Sequence, residues 1–181
     1  RKRIRRLIRL VITSNSSLAV SDSPIGFLDS GVGGLPYLVR SRELLPEEHF
    51  VYFADRAHFP YGDRSVREIR EIVHRAVGRL VEAAAPKLIC IACNTASVVS
   101  LHALRTHFRI PFVGVVPAIK PAGLLAHHGR IGVLATSRTV NDPYVANLIK
   151  EFASESEVVL VAAGNLVDAI EQNAGSPGPR R

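Results

Sequence analysis

Short runs of consecutive apolar residues recur along this chain and constrain its fold more than any other feature. The runs cover residues 25–28, 50–53, 87–92, 112–116, 131–135 and 158–162. A strand with one solvated face alternates apolar and polar residues, whereas an uninterrupted apolar strand is typical of a parallel sheet covered on both faces. The runs therefore predict strands of that buried kind.

Segments with helical periodicity separate the apolar runs. The clearest begins at Ser65, which forms a capping-box pattern with Glu68. Behind it, an apolar stripe at helical spacing runs through Val66, Ile69, Ile72, Val73, Ala76, Val77, Leu80 and Val81. Further helices are predicted over 35–45, 96–107 and 140–152. Strands that alternate with helices predict an α/β fold with a parallel, doubly wound sheet.

The length of 181 residues suits one domain and part of a second. We predict a first α/β domain over 24–111 and the start of a second over 112–172. Residues 1–23 form a basic and polar extension, and residues 173–181 a Gly/Pro-rich tail. Both ends are predicted to be disordered.

The charge distribution bears on possible partners. The net charge is +7, but the basic and acidic residues between Pro24 and Gln172 are equal in number, so the excess lies at the two ends. A nucleic-acid-binding protein should carry its positive charge on a folded face. No apolar run approaches the roughly 18 residues of a membrane span. We therefore predict neither a nucleic-acid partner nor a membrane span.

Polar residues follow the ends of several predicted strands. They are Asp29 and Ser30, Asp55, Cys93 to Thr95, and Thr136. The carboxyl ends of parallel strands meet at one edge of a sheet, and ligands of open α/β sheets bind there. The pattern predicts one ligand site on that edge.

Cys93 is the reactive residue that this edge predicts. It lies where a buried strand passes into a helix that begins near Asn94 or Thr95, and a helix N-terminus favours thiolate over thiol. Cys90 lies inside the strand and is expected to be buried. The CxxC spacing also permits a redox pair or a metal site, but Cys90 is committed to packing and two more zinc ligands are missing. We predict no metal, no disulfide, and a reducing, cytoplasmic setting.

The remaining candidates each keep two interpretations. The segment from Asp29 to Gly34 suits a loop approached by a ligand ammonium group, or a helix-entry turn in which Asp29 accepts backbone N–H groups; a phosphate loop would need a lysine that is absent. Tyr61 and Gly62 suit a turn, or a phenol and N–H groups facing a ligand. The hydroxyls of Thr136 and Thr139 suit a ligand carboxylate or a helix cap.

Together these segments resemble the glutamate racemases of the aspartate/glutamate racemase superfamily. The similar stretches occur in that family's order and cover residues 27–35, 52–55, 59–62, 91–97, 114–121, 134–136 and 139–140. Each stretch is short, and their order makes the resemblance specific.

The resemblance implies a cofactor-independent cytoplasmic enzyme that makes D-glutamate for peptidoglycan. Two cysteines face opposite sides of the substrate Cα, because inversion needs proton removal on one face and delivery on the other. By this resemblance Cys93 is the first thiol and Asp29 its supporting carboxylate. The resemblance assigns substrate binding to Asp29, Ser30, Tyr61, Gly62, Asn94 and Thr95, with Thr136 and Thr139 as outer candidates. It also implies a two-domain fold whose full-length form can be a homodimer.

The chain departs from the family pattern in two ways. The second motif of the family, Gly-Cys-Thr-His, does not occur, and Cys90 and Cys93 are the two cysteines present. Arg56 stands where the family usually has threonine, which puts a bulky cation near the site. We therefore expect a truncated racemase with self-associating apolar surface. Two alternatives stay open: an inactive module that binds an amino acid, and an aspartate racemase-like enzyme.

Overall fold

The structure, a computed structural model, describes residues 22–126 and 129–173. The predicted extension at 1–23 and tail at 173–181 lie outside the described residues except at their inner ends. Within the described residues, parallel strands alternate with helices, which confirms the predicted α/β class.

The strands and helices have the following bounds. The strands are β1 Ile25–Asp29, β2 Phe50–Ala54, β3 Leu88–Ile91, β4 Phe112–Gly114, β5 Arg130–Ala135 and β6 Glu157–Ala162. The helices are α1 Leu35–Leu44, α2 Val66–Ala84, α3 Asn94–His107, α4 Ile119–Ala126, α5 Ser137–Val140, α6 Pro143–Phe152 and α7 Gly164–Asn173. Two short 3₁₀ turns, Arg56–His58 and Tyr61–Asp63, lie between β2 and α2.

The strands form two parallel sheets. The first sheet has four strands in the order β2-β1-β3-β4, and the second has two, β5 and β6. In the first sheet Phe27 lies opposite Tyr52 on one side and Cys90 on the other. The predicted division at residue 111 would separate β4 from this sheet, whereas Phe112 pairs with Ile89. The change of sheet therefore comes after Gly114.

Helix α2 covers one face of the first sheet. The predicted capping box forms: Ser65 Oγ accepts the Glu68 N–H at 3.2 Å, and Glu68 Oε2 accepts the Ser65 N–H at 2.9 Å. The apolar stripe is buried at Ile69, Ile72, Val73, Ala76, Val77 and Leu80 and packs with Leu28, Ile89 and Ile91. Full burial of an aliphatic side chain contributes about 1.5–3 kcal/mol. Burial of this stripe therefore stabilises the packing of α2 on the first sheet.

The opposite face of the first sheet packs against α1. Its buried side chains include Phe27, Leu88 and Cys90, with Leu38 of α1 packed against them. Cys90 is 8% exposed, which confirms its prediction as a buried strand residue. Both faces of this sheet are thus covered, as the uninterrupted apolar runs predict.

The helices after β4 depart from the predictions. Helices α4 and α7 were not predicted, and the helix predicted over 140–152 is divided between α5 and α6. A new helix starts at Pro143 because Asp142 Oδ1 accepts the Tyr144 N–H at 3.0 Å and proline is pre-organised at a first helical position. None of the helices in the described ranges has the combination of length and apolarity that a membrane span requires.

Candidate functional site

A cavity of about 580 Å³ opens at the carboxyl ends of the strands. Residues from the first sheet, the 3₁₀ turn Tyr61–Asp63, β5 and α7 all line it. Every site residue predicted from the sequence is among its lining residues: Asp29, Ser30, Tyr61, Gly62, Cys93, Asn94, Thr95, Thr136 and Thr139. The strand-end pattern therefore located the cavity except at Asp55, which does not line it and accepts the Tyr61 hydroxyl instead.

Cys93 is the residue immediately before α3, at the helix N-cap. Its Sγ lies 3.6 Å from Ser30 Oγ. Burial raises the pKa of the Cys93 thiol to about 11, and the Asp29 charge adds to this. Backbone N–H groups of Ala96 and Ser30 and the Ser30 hydroxyl lower the pKa, but by less. The N–H groups at the helix terminus thus act in the predicted direction, and burial and the Asp29 charge act against them.

Asp29 organises the loop after β1. Its Oδ1 accepts the Ser30 N–H at 2.8 Å, and its Oδ2 accepts the Gly34 N–H at 2.8 Å and the Tyr52 hydroxyl at 2.9 Å. A Cβ at Gly34 would lie 2.6 Å from the Ala92 Cβ, so glycine allows this close approach. The helix-entry interpretation of Asp29 is thereby confirmed. Its effect on Cys93 is that of a nearby negative charge.

Tyr52 was not among the predicted site residues. Tyr52 lies in β2. Its hydroxyl contacts Asp29 Oδ2 and, at 3.2 Å, the carbonyl oxygen of Gly31. Burial and the adjacent carboxylate raise the pKa of Tyr52, so it remains a donor to Asp29. The parallel register that places Tyr52 beside β1 is a property of the fold, and no spacing in the sequence indicates it.

Tyr61 is 1% exposed, and its hydroxyl donates to Asp55 Oδ2 at 2.7 Å. His58 Nδ1 lies 2.9 Å from both carboxylate oxygens of Asp55. Tyr61 lines the cavity, and its hydroxyl donates its hydrogen bond to Asp55. The pKa of Tyr61 is raised by burial and by Asp55.

Three threonine hydroxyls join α3 to the second sheet. Thr95 Oγ1 lies 3.0 Å from Thr136 Oγ1 and 3.2 Å from Thr139 Oγ1, and the last two are 3.1 Å apart. Thr136 Oγ1 also accepts the Thr139 N–H at 3.3 Å, so the helix-cap interpretation of Thr136 is confirmed. A Cβ at Gly62 would lie 2.8 Å from Thr136, which explains glycine at that position. The threonines hold the two halves of the cavity together.

The charges around the cavity are of one sign. Four carboxylates line it, at Asp29, Asp63, Asp168 and Glu171, and no lysine, arginine or histidine appears among its lining residues in the described part of the chain. The carboxylates of such a cavity can bind a ligand ammonium group. It can meet a ligand carboxylate with hydroxyls and with the N–H groups at the N-terminus of α3.

Glu171 of α7 reaches into the glycine loop after β1, a contact that the sequence interpretation missed. Its Oε1 accepts the Val32 N–H at 2.7 Å, and its Oε2 lies 3.0 Å from Arg56 Nη1. Arg56, predicted to bring a cation near the site, is thus paired with a carboxylate. The apolar spacing of Leu166, Val167 and Ile170 after Gly164 is the signal that could have indicated α7.

Comparison with known proteins places this geometry in context. Residues 38–180 match the family described as Asp/Glu/Hydantoin racemase. The glutamate racemase of Photorhabdus laumondii is 44% identical over 160 residues, which is 88% of this chain and 55% of that protein. The chain thus spans about half the length of the curated relatives it matches.

Solved structures of glutamate racemases are also similar to this chain. The structure of Escherichia coli glutamate racemase in complex with L-glutamate and the activator UDP-MurNAc-ala matches with a TM-score of 0.79 and 42% identity, covering 87% of this chain and 60% of that one. Francisella tularensis glutamate racemase in complex with D-glutamate matches with a TM-score of 0.71 and 31% identity, covering 86% of this chain and 59% of that one.

Proposed function

This chain belongs to the Asp/Glu/hydantoin racemase family, and from that premise we propose that it carries the Cys93 half of a glutamate racemase site. The observation that supports this most is the position of Cys93 at the N-terminus of α3, inside a cavity lined by carboxylates and hydroxyls. Glutamate is the proposed substrate because the similar proteins at 42–44% identity are glutamate racemases. Supply of D-glutamate for peptidoglycan, in the cytoplasm, is the biological role we propose.

The proposed chemistry starts with the charge next to Cys93. Asp29 raises the pKa of the thiol, and a substrate ammonium group placed against Asp29 would offset that negative charge. Substrate binding would therefore lower the pKa of Cys93 and favour the thiolate that removes the Cα proton. The Cα–H is a weak acid, so the base must be held close to it in a desolvated pocket.

Delivery of a proton to the opposite face requires a second acid. Cys90 does not fit that role, because it is packed in β3 and burial raises the pKa of its thiol to about 12. We propose that the 181 residues bind glutamate but do not interconvert its enantiomers without a second thiol. The isolated chain would then be a module that binds an amino acid without racemising it. The observation that favours this alternative is that Cys93 lines the cavity and Cys90 does not.

Protection of Cys93 from alkylation tests the binding proposal. Iodoacetamide is added with and without L-glutamate, and the labelling of Cys93 and Cys90 is followed by peptide mass spectrometry. We expect glutamate to slow labelling of Cys93 while Cys90, buried in the sheet, reports unfolding in the same sample. Substitution Thr95→Ala should weaken the protection, and Thr106→Ala, on the same helix but exposed and outside the cavity lining, should not.

Two outcomes would contradict the proposal. The absence of protection at saturating glutamate would remove the glutamate site. Circular dichroism of L-glutamate incubated with the chain should show no interconversion, and turnover that survives Cys93→Ala would refute both the assignment of Cys93 and the two-thiol argument.

A further inference from the structure

Helix α7 contacts the glycine-containing loop after β1, residues 29–34, through one carboxylate and the donors that surround it. The Glu171 carboxylate receives one backbone N–H, from Val32, and one guanidinium, from Arg56. The Glu171 side chain is 8% exposed, whereas that of Arg56 is 58% exposed. A nearly buried carboxylate is thus held by two donors that belong to another part of the chain.

The shape of the loop fits this occupant. A Cβ at Gly31 would overlap the Glu171 carboxylate, so the loop leaves space for a carboxylate where a side chain would otherwise stand. Glu171 and its helix neighbours Val167 and Asp168 also line the cavity that contains Cys93. The carboxylate is therefore at the edge of the cavity.

We propose that Val32 N–H and the Arg56 guanidinium form a carboxylate-binding subsite, and that Glu171 is an internal occupant which a carboxylate ligand in the cavity displaces. Neither Val32 nor Arg56 lines the cavity, and Glu171 links both of them to it. When a ligand carboxylate replaces Glu171, α7 loses its charged contact with the loop. The subsite does not depend on the proposed racemase chemistry, since Cys93 has no part in it.

Glutarate, a dicarboxylate without an amino group, is the probe for the subsite. Titration calorimetry compares the unmodified chain with Glu171→Gln, which removes the competing charge but keeps the side-chain size. Because a charge-assisted hydrogen bond of the occupant no longer opposes binding, we expect affinity to rise about tenfold or more. Asp168→Asn is the matched control, because it removes one negative charge from the same helix and the same cavity.

Arg56→Ala tests whether a gain in glutarate affinity comes from binding at the subsite or only from the loss of repulsion by the Glu171 charge. In the Glu171→Gln background, Arg56→Ala should abolish the gain in glutarate affinity, and Arg79→Ala, an exposed arginine on α2, should leave it intact. A gain that survives Arg56→Ala, or an equal gain in Asp168→Asn, would overturn the proposal. The absence of any gain in Glu171→Gln would overturn it as well.

Two further measurements separate this inference from the proposed function. Hydrogen exchange in residues 164–173 should speed up when glutarate binds, because the occupant leaves the loop; unchanged exchange contradicts displacement. The titration repeated in Cys93→Ala should give the same affinities. Failure of glutamate to protect Cys93 would count against the racemase site and leave these glutarate results standing.

Discussion

The two sheets of this molecule are packed to different degrees, and the site lies between them. The first sheet is covered on both faces, by α2 and α3 on one and by α1 on the other. The second has a small core formed by Ile119, Ile131, Val145 and Ala153. In β6, the apolar residues Val159 and Val161 are 46% and 43% exposed. Parallel strands are normally buried on both faces, so the second sheet departs from the rule that the first obeys.

The difference separates the contributions of the two sheets to the site. Asp29, Tyr61 and Cys93 are held by hydrogen bonds and packing within the well-covered half. Thr136 and Glu171 come from the other half and reach across to the first. We infer that the first sheet pre-forms the part of the cavity that holds Cys93, while the second contributes groups whose placement depends on a few polar contacts.

The largest expected effect is on stability. Ile89→Ala removes a fully buried side chain from β3 and should lower the free energy of unfolding by about 3–4 kcal/mol. Val159→Ala in β6 should lower it by less than about 1 kcal/mol, because that side chain is half-exposed. Urea denaturation of both variants measures the difference. Equal losses would show that the second sheet is as well packed as the first and would remove the comparison.

A smaller effect is expected on the acidity of Cys93. Asp29→Asn keeps the side-chain size and one of the two acceptor oxygens that bind the loop, and it removes the negative charge that raises the pKa of the thiol. Loss of that charge stabilises the thiolate, so the pKa should fall from about 11 toward its ordinary value, by about one unit or about 1.4 kcal/mol. The pH dependence of Cys93 alkylation measures the change.

Asp63→Asn is the control for that measurement. Asp63 lines the same cavity but is exposed, and it is not among the groups that shift the pKa of Cys93. An equal fall in both variants would mean that the acidity of Cys93 responds to total cavity charge. A fall confined to Asp29→Asn would show that the charge of Asp29, held within the well-packed half, sets the acidity of the thiol.

The sequence predicted local features of the first sheet better than contacts between distant parts of the chain. The strands of the first sheet and the capping box at Ser65 were predicted because burial and capping leave local patterns. The position of Cys93 followed from the junction of one strand and one helix. Its raised pKa did not, because burial comes from residues distant in the chain.

Contacts across the molecule left no such pattern. The pair of Arg56 and Glu171 joins residues 115 positions apart, and no spacing rule indicates it. The hydroxyl of Tyr61 was assigned to a ligand because the sequence does not show that Asp55 is within 2.7 Å of it. Side chains on the edge of a sheet are predictable as a group, whereas their individual partners depend on the packing of the elements around them.

The smallest expected effect on folding concerns the exposed face of the second sheet. Val159 and Val161 are two residues apart and so share one face of β6, and Leu160 on the other face is also exposed, at 38%. An exposed apolar edge strand pairs readily with another chain, and a lysine on it opposes such pairing. We expect self-association of the chain, and we expect Val161→Lys to reduce it while changing the free energy of unfolding by less than about 0.5 kcal/mol.

Sedimentation velocity at several concentrations measures this effect, and Val39→Lys is the matched control. Val39 lies on α1, is 55% exposed, and belongs to the half whose sheet is covered. If apolar exposure by itself caused association, the two lysine variants would behave alike. If the uncovered strand causes it, only Val161→Lys shifts the chain toward monomer. A chain that sediments as a monomer without any substitution would show that the exposed face of β6 does not self-associate.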